Sequence, residues 1–133
     1  MTIRKATGQE LEKFPAMRDL HEVIAKNRYV IAQEFTPTAF FGWAQMAPGV
    51  IECWMTLASE PPRGIRAVRM GKLCLEFIRK QNPRVHRIQA VCFRTERNLS
   101  VRFCVAIGFE VESIMERYGP AREDAFRVVL WPE

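Results

Sequence analysis

Between residues 49 and 94 the chain passes from a β-prone segment through a helical one into a second β-prone segment, and this constrains its topology more than any other feature. GVIECWMTLA (49–58) is rich in β-branched and aromatic residues. After SEPPRG, apolar residues take up helical spacing near Arg66, continue through Leu73, Leu75, Phe77 and Ile78, and stop before Asn82-Pro83. RVHRIQAVCFR (84–94) then reads as a strand. A strand, a crossover helix and a second strand in one sheet make the two strands parallel and put the helix on one face. The spacing therefore predicts residues 53–58 and 86–92 as adjacent parallel strands.

The flanking segments complete an alternating order. TIRKAT (2–7) reads as a short strand, and Thr7 with Glu10 has capping-box spacing for a helix reaching about Lys26. Pro15 falls inside that helix and predicts a kink. RYVIAQEF, AFFGWAQMA and GVIECWMTLA predict three antiparallel strands separated by turns at TPT (36–38) and PG (48–49). NLSVRFCVAI (98–107) predicts a helix, with Asn98 satisfying backbone N–H groups at its start. Gly108 is expected to end it in a left-handed conformation, with Phe109 packing back into the core. GFEVESIMERYG (108–119) and AFRVVLW (125–131) are the last two strands.

Composition narrows the function classes. With 133 residues, 48% of them hydrophobic and 26% charged, the chain suits one soluble domain over residues 1–133. It contains no apolar run long enough to span a bilayer and no signal-peptide core, so a cytoplasmic location without membrane contact is expected. Cys53, Cys74, Cys92 and Cys104 each have apolar neighbours, which predicts four reduced, buried thiols. His21 and His86 are too isolated to suggest a metal site. The net charge of +5 is modest and shows no basic stripe interleaved with aromatics, which argues against nucleic acid. The cationic group Arg63, Arg66, Arg69 and Lys72 suits an anionic small ligand equally well.

The element order and two local motifs resemble the GCN5-related N-acetyltransferase (GNAT) superfamily across essentially the whole chain. Asn98, Phe103 and Gly108-Phe109 are similar to the family's N-x-x-(A/S)-x-x-(F)-Y-x-x-x-G-F block. Arg66-Ala67-Val68-Arg69-Met70-Gly71 is similar to its pyrophosphate loop, (Q/R)-x-x-G-x-(G/A), with Arg69 where the first glycine belongs. The resemblance implies an α/β (α+β) domain with a mixed central sheet of about seven strands, helices on both faces and a splayed parallel pair. It implies acetyl-CoA as cosubstrate and an amine acceptor that the sequence does not identify. The cofactor-binding residues would be Thr56, Leu57 and Ala58 on the splayed strand, Arg66, Arg69, Met70, Gly71 and Lys72 at the phosphate loop, and Asn98. Cys104 stands where the family has its general-acid Tyr; its thiol is a candidate to donate the proton instead, although its apolar setting favours packing. Glu52 is the first candidate for general base and Glu34 the second.

A narrower resemblance, carried by MTIR, CWMTLAS, the altered loop and N-x-S-x-x-R-F, is to small GNAT-like internal virion or prophage proteins of short-tailed phages. It implies a catalytically weakened binding or structural protein, found in a virion with virion partners. Edge strands near the C-terminus also suit a homodimer.

Overall fold

The central strands form because their β-branched and aromatic residues can be buried on both faces of a sheet. The computed structural model describes residues 1–13, 27–33, 36–57 and 62–132. In chain order the elements are β1 (Thr2–Lys5), α1 (Gly8–Lys13), β2 (Asn27–Gln33), β3 (Thr36–Ala47) and β4 (Val50–Leu57). There follow α2 (Ile65–Gln81), β5 (Arg87–Phe93), α3 (Leu99–Ala106), β6 (Glu110–Met115) and β7 (Ala125–Leu130). Among the described residues the strands make one seven-stranded sheet of order β1-β2-β3-β4-β5-β7-β6. All neighbours are antiparallel except β4 and β5, which are parallel.

Side-chain alternation separates the two faces of the sheet. Ile51, Cys53 and Met55 of β4 share a core with Ile88, Ala90 and Cys92 of β5 and with Met70, Cys74, Leu75 and Ile78 of α2. The opposite face gathers Val30, Phe40, Ala6 and Trp54. The buried residues of α2 recur at helical spacing, whereas Arg66, Arg69, Lys72, Glu76 and Arg79 point outward. Near its C-terminal half, Phe77 meets the edges of Tyr29, Phe41 and Trp43. The helix stops at Asn82, whose side-chain amide donates to the Ile78 carbonyl at 2.8 Å, and Pro83 cannot extend it. No described helix is long and apolar enough to cross a membrane.

Several expectations are corrected. Thr36-Pro37-Thr38 opens β3 instead of forming a turn, with Pro37 opposite Ala32 beside a register shift that accommodates its missing donor. The parallel rungs join Val50, Ile51 and Glu52 to Arg87, Ile88 and Gln89, so pairing ends where residues 53–58 had been expected to begin it. Only Cys74 and Cys92 are fully buried; Cys53 and Cys104 are half-buried, and all four thiols are free. The continuation of the first helix to Lys26 with its Pro15 kink, together with Glu34 and Ala58, lies outside the described residues.

The end of α3 follows the expected chemistry. Gly108 has φ +116°, the Gly108 N–H donates to the Val105 carbonyl, and the Phe109 N–H donates to the Cys104 carbonyl. These two bonds form a Schellman cap, and they turn Phe109 into the core, where it is 4% exposed. The start of α3 does not follow it. Asn98 is left-handed (φ 49°, ψ 42°) and makes no side-chain cap. Its Oδ1 accepts from the Thr95 N–H at 3.2 Å, closing the turn before the helix instead.

Candidate active site

Beyond Glu52 and Gln89 the two central strands part. β4 stays with β3, pairing Met55, Thr56 and Leu57 with Phe41, Phe40 and Ala39. β5 stays with β7 as far as Phe93 opposite Ala125. The β4 edge at 53–57 and the β5 edge at 90–93 therefore face each other without a ladder between them. Such edges are templates for an extended amide-bearing chain, because their backbone groups seek partners.

The N-terminus of α2 follows the C-terminal end of β4. Gly64 (φ +60°) is its N-cap, and the Val68 N–H returns to the Gly64 carbonyl at 3.2 Å. By helix geometry the N–H groups of the first turn, from Ile65 onward, find no acceptor within the helix itself. The first turn has no acidic residue. Arg63, Arg66, Arg69 and Lys72 are exposed around it. Met70 and Gly71 lie deeper, buried in the second turn. A Cβ on Gly71 would stand 2.6 Å from Phe103 Cζ and 3.0 Å from Ile107 Cγ2, so this glycine lets α2 and α3 pack closely. Sequence reading missed Gly64 as the junction; its signal was the Pro-Pro-Arg-Gly run just ahead of the helical spacing.

Glu52 sits on the last parallel rung, on the face of β4 that also carries Trp54 and Thr56. Its carboxylate accepts from the Gln89 side-chain amide at 3.1 Å. Gln89 is 7% exposed, and its carbonyl oxygen accepts from Arg87 Nε at 2.9 Å. That bond fixes which end of the amide faces Glu52. Arg87 in turn makes two 2.6 Å bonds to Glu112 on β6 and lies over the Trp131 ring, 5.2 Å from its centroid. The Arg87 guanidinium holds the Glu112 carboxyl below the usual carboxylate range. The alternation of Arg87 and Gln89 on one face of the strand was the available sequence signal for this chain of contacts.

Cys104 lies across the sheet from Glu52, on the face covered by α2 and α3. Its sulfur is 3.6 Å from that of Cys92. The bond to Cys92, then burial, pushes the Cys104 thiol well above its ordinary range. A thiol that holds its proton this tightly is a poor acid toward a departing thiolate of ordinary basicity. Asn98 borders an open hollow of about 520 Å³ at the end of β5, together with Arg94, Arg122 and Asp124. A second hollow, of about 310 Å³, lies at the C-terminal end of α2, away from the parted strands. Among the described residues no group of three or more His, Cys, Asp or Glu side chains could hold a metal ion.

No protein-family model matches the sequence, and no curated protein matches it. Solved structures do. The chain is similar to the spermidine N-acetyltransferase SpeG chimera from Vibrio cholerae and hSSAT, with TM-score 0.76 and 14% identity over 98% of this chain and 96% of that one. It is similar to the ribosomal-protein-S18-alanine N-acetyltransferase from Escherichia coli, with TM-score 0.72 and 15% identity over 98% and 92%. It also resembles yncA from Salmonella typhimurium, solved with its cofactor acetyl-CoA, with TM-score 0.66 and 13% identity over 80% and 64%. At these identities the likeness establishes the fold, which is that of the GNAT N-acetyltransferases.

Proposed function

We propose that the protein is an acyl-CoA-dependent N-acyltransferase that moves an acetyl group from acetyl-CoA to an amine by direct attack. The observation that carries this reading is the parting of β4 from β5 after Glu52, followed by a helix whose first turn holds no acidic residue and by four exposed cations. The pantetheine arm, an amide-bearing chain, would pair with backbone groups of β4 near Thr56, Leu57 and Ala58. The diphosphate would meet the N–H groups of Ile65 to Ala67 and the side chains of Arg66, Arg69 and Lys72. Asn98 holds the β5–α3 turn beside the same end of the sheet. The burial of Met70 and Gly71 supports a packing role for both rather than contact with the phosphates.

In the reaction the amine nitrogen attacks the thioester carbonyl while Glu52, directly or through water, takes the nitrogen proton. Gln89 holds the Glu52 carboxylate in place. Backbone N–H groups on β4 beyond Glu52 stabilise the developing oxyanion. The carbon–sulfur bond then breaks, and the thiolate takes its proton from solvent, since Cys104 is a poor donor. The replaced Tyr and the loop arginines support a second reading, a GNAT-fold binding protein with weakened catalysis such as the phage resemblance implies.

Acetyl-CoA at about 100 times its dissociation constant should stabilise the fold by about 2.7 kcal/mol, a rise of several degrees in Tm. Arg66→Ala and added salt should both shrink the rise. Release of free thiol in the presence of spermidine or an N-terminal alanyl peptide would support catalysis; binding without release would support the second reading. No shift with millimolar acetyl-CoA overturns the coenzyme reading, and a larger shift for Arg69→Gly would identify Arg69 as an obstruction.

A further inference from the structure

Cys92 lies on β5, 5% exposed, and Cys104 lies half-buried on α3. Both thiols are free, and their sulfurs are 3.6 Å apart. A disulfide requires about 2.05 Å, so the sulfurs need only approach by roughly 1.5 Å. The element that must move is lightly held. α3 is eight residues long and has no fully buried side chain, resting on the core through half-buried Val101, Phe103 and Cys104. Neither thiol has an assigned part in acyl transfer. We propose that Cys92 and Cys104 form a site of reversible oxidation, converted by low-molecular-weight disulfides into an intramolecular disulfide that ties α3 to β5.

The exchange balances without any further reagent. The Cys104 sulfur, the more accessible of the two, attacks one sulfur of the small disulfide as its thiolate. A mixed disulfide forms and one small thiolate leaves. The Cys92 thiolate then attacks the Cys104 sulfur and expels the second small thiolate. Two protein thiols are oxidised, one small disulfide is reduced to two thiols, and the two thiol protons pass through solvent to the leaving groups. The contact between the sulfurs assists the second step by proximity alone, since the Cys104 sulfur of the mixed disulfide has no proton left to donate. It slows the first step at neutral pH, since Cys104 is pushed up, and the reaction accelerates as pH rises. Burial also pushes the Cys53 and Cys74 thiols up, to about 12, so what singles out Cys92 and Cys104 is the 3.6 Å contact between their sulfurs.

The test treats the reduced full chain with millimolar oxidised glutathione, quenches in acid and digests with trypsin without reduction. The expected product joins the peptide 88–94, which carries Cys92, to the peptide 103–117, which carries Cys104. Free thiols, counted after denaturation, fall from four to two and return to four with dithiothreitol. Cys53→Ser should keep the link, whereas Cys92→Ser and Cys104→Ser should each abolish it. Should either of the latter fail to fold, the peptide map of the unsubstituted chain decides alone. Four persisting thiols, glutathione retained on Cys104 with no internal link, or a link through Cys53 would each overturn the proposal. It does not depend on the coenzyme reading, because no arm of the experiment contains acetyl-CoA.

Discussion

Gly71 is where the sequence and its packing give different readings of one residue. Inside a helix, Gly→Ala ordinarily gains up to about 1 kcal/mol. Here the added methyl would meet Phe103 Cζ at 2.6 Å and Ile107 at 3.0 Å, and neither neighbour is on the open surface. Overpacking of that kind costs about 1–3 kcal/mol, which exceeds the propensity gain. Gly71→Ala should therefore lower the urea midpoint. In a Phe103→Leu background, which removes Cζ, the loss should shrink, with a coupling of about 1 kcal/mol. Stabilisation by Gly71→Ala in the unsubstituted chain would show that α2 and α3 do not approach as described.

Among the elements, α1 carries the most explicit local wiring. The Thr7 N–H donates to Glu10 at 3.0 Å, the Glu10 N–H donates to Thr7 Oγ1 at 3.2 Å, and Arg4 grips the same carboxylate with bonds of 2.6 and 2.8 Å. The Arg4 guanidinium, with help from Thr7, holds the Glu10 carboxyl down at about 2 from an ordinary 4.5. The folded state thus binds this proton more weakly than the unfolded chain does. The contribution is fully present above about pH 4.5 and is lost as pH falls toward 2. Solvent screening at this exposed pair keeps it to about 1 kcal/mol or less. A urea-midpoint profile against pH should fall less steeply in that window for Glu10→Gln, and NMR titration of Glu10 should give a depressed pKa. Equal slopes for the two chains would dissolve the linkage.

For the whole molecule, the parted strands leave a seam that the proposed coenzyme would close. Residues 50–52 and 87–89 already share a ladder, whereas 53–57 and 90–93 do not. Acetyl-CoA should therefore slow hydrogen exchange at amides within 53–57 and in the first turn of α2, and leave 50–52 and 87–89 nearly unchanged. Protection that instead appears only near the C-terminal end of α2 would move the binding site to the opposite end of the sheet.

The features legible in the sequence are those whose causes lie within a few residues of each other. The Thr7–Glu10 box, the Gly108 cap and the helical spacing of α2 all depend on near neighbours, and the parallel sense of β4 and β5 follows from the crossover between them. The features that were not legible depend on which distant residues packing brings together. The divergence of β4 and β5 was expected, but the rung where it begins, Glu52, is set by the pairing of β4 with β3 and of β5 with β7. Gln89 reaches Glu52 across 37 residues of sequence, Arg87 reaches Glu112 across 25, and Cys104 reaches Cys92 across 12. Asn98 had the right chemistry for a helix cap, but its left-handed backbone turned the side chain to Thr95. Local propensity selects the elements and their ends, whereas register and side-chain neighbours are settled by burial across the whole sheet, and those neighbours make up the candidate site.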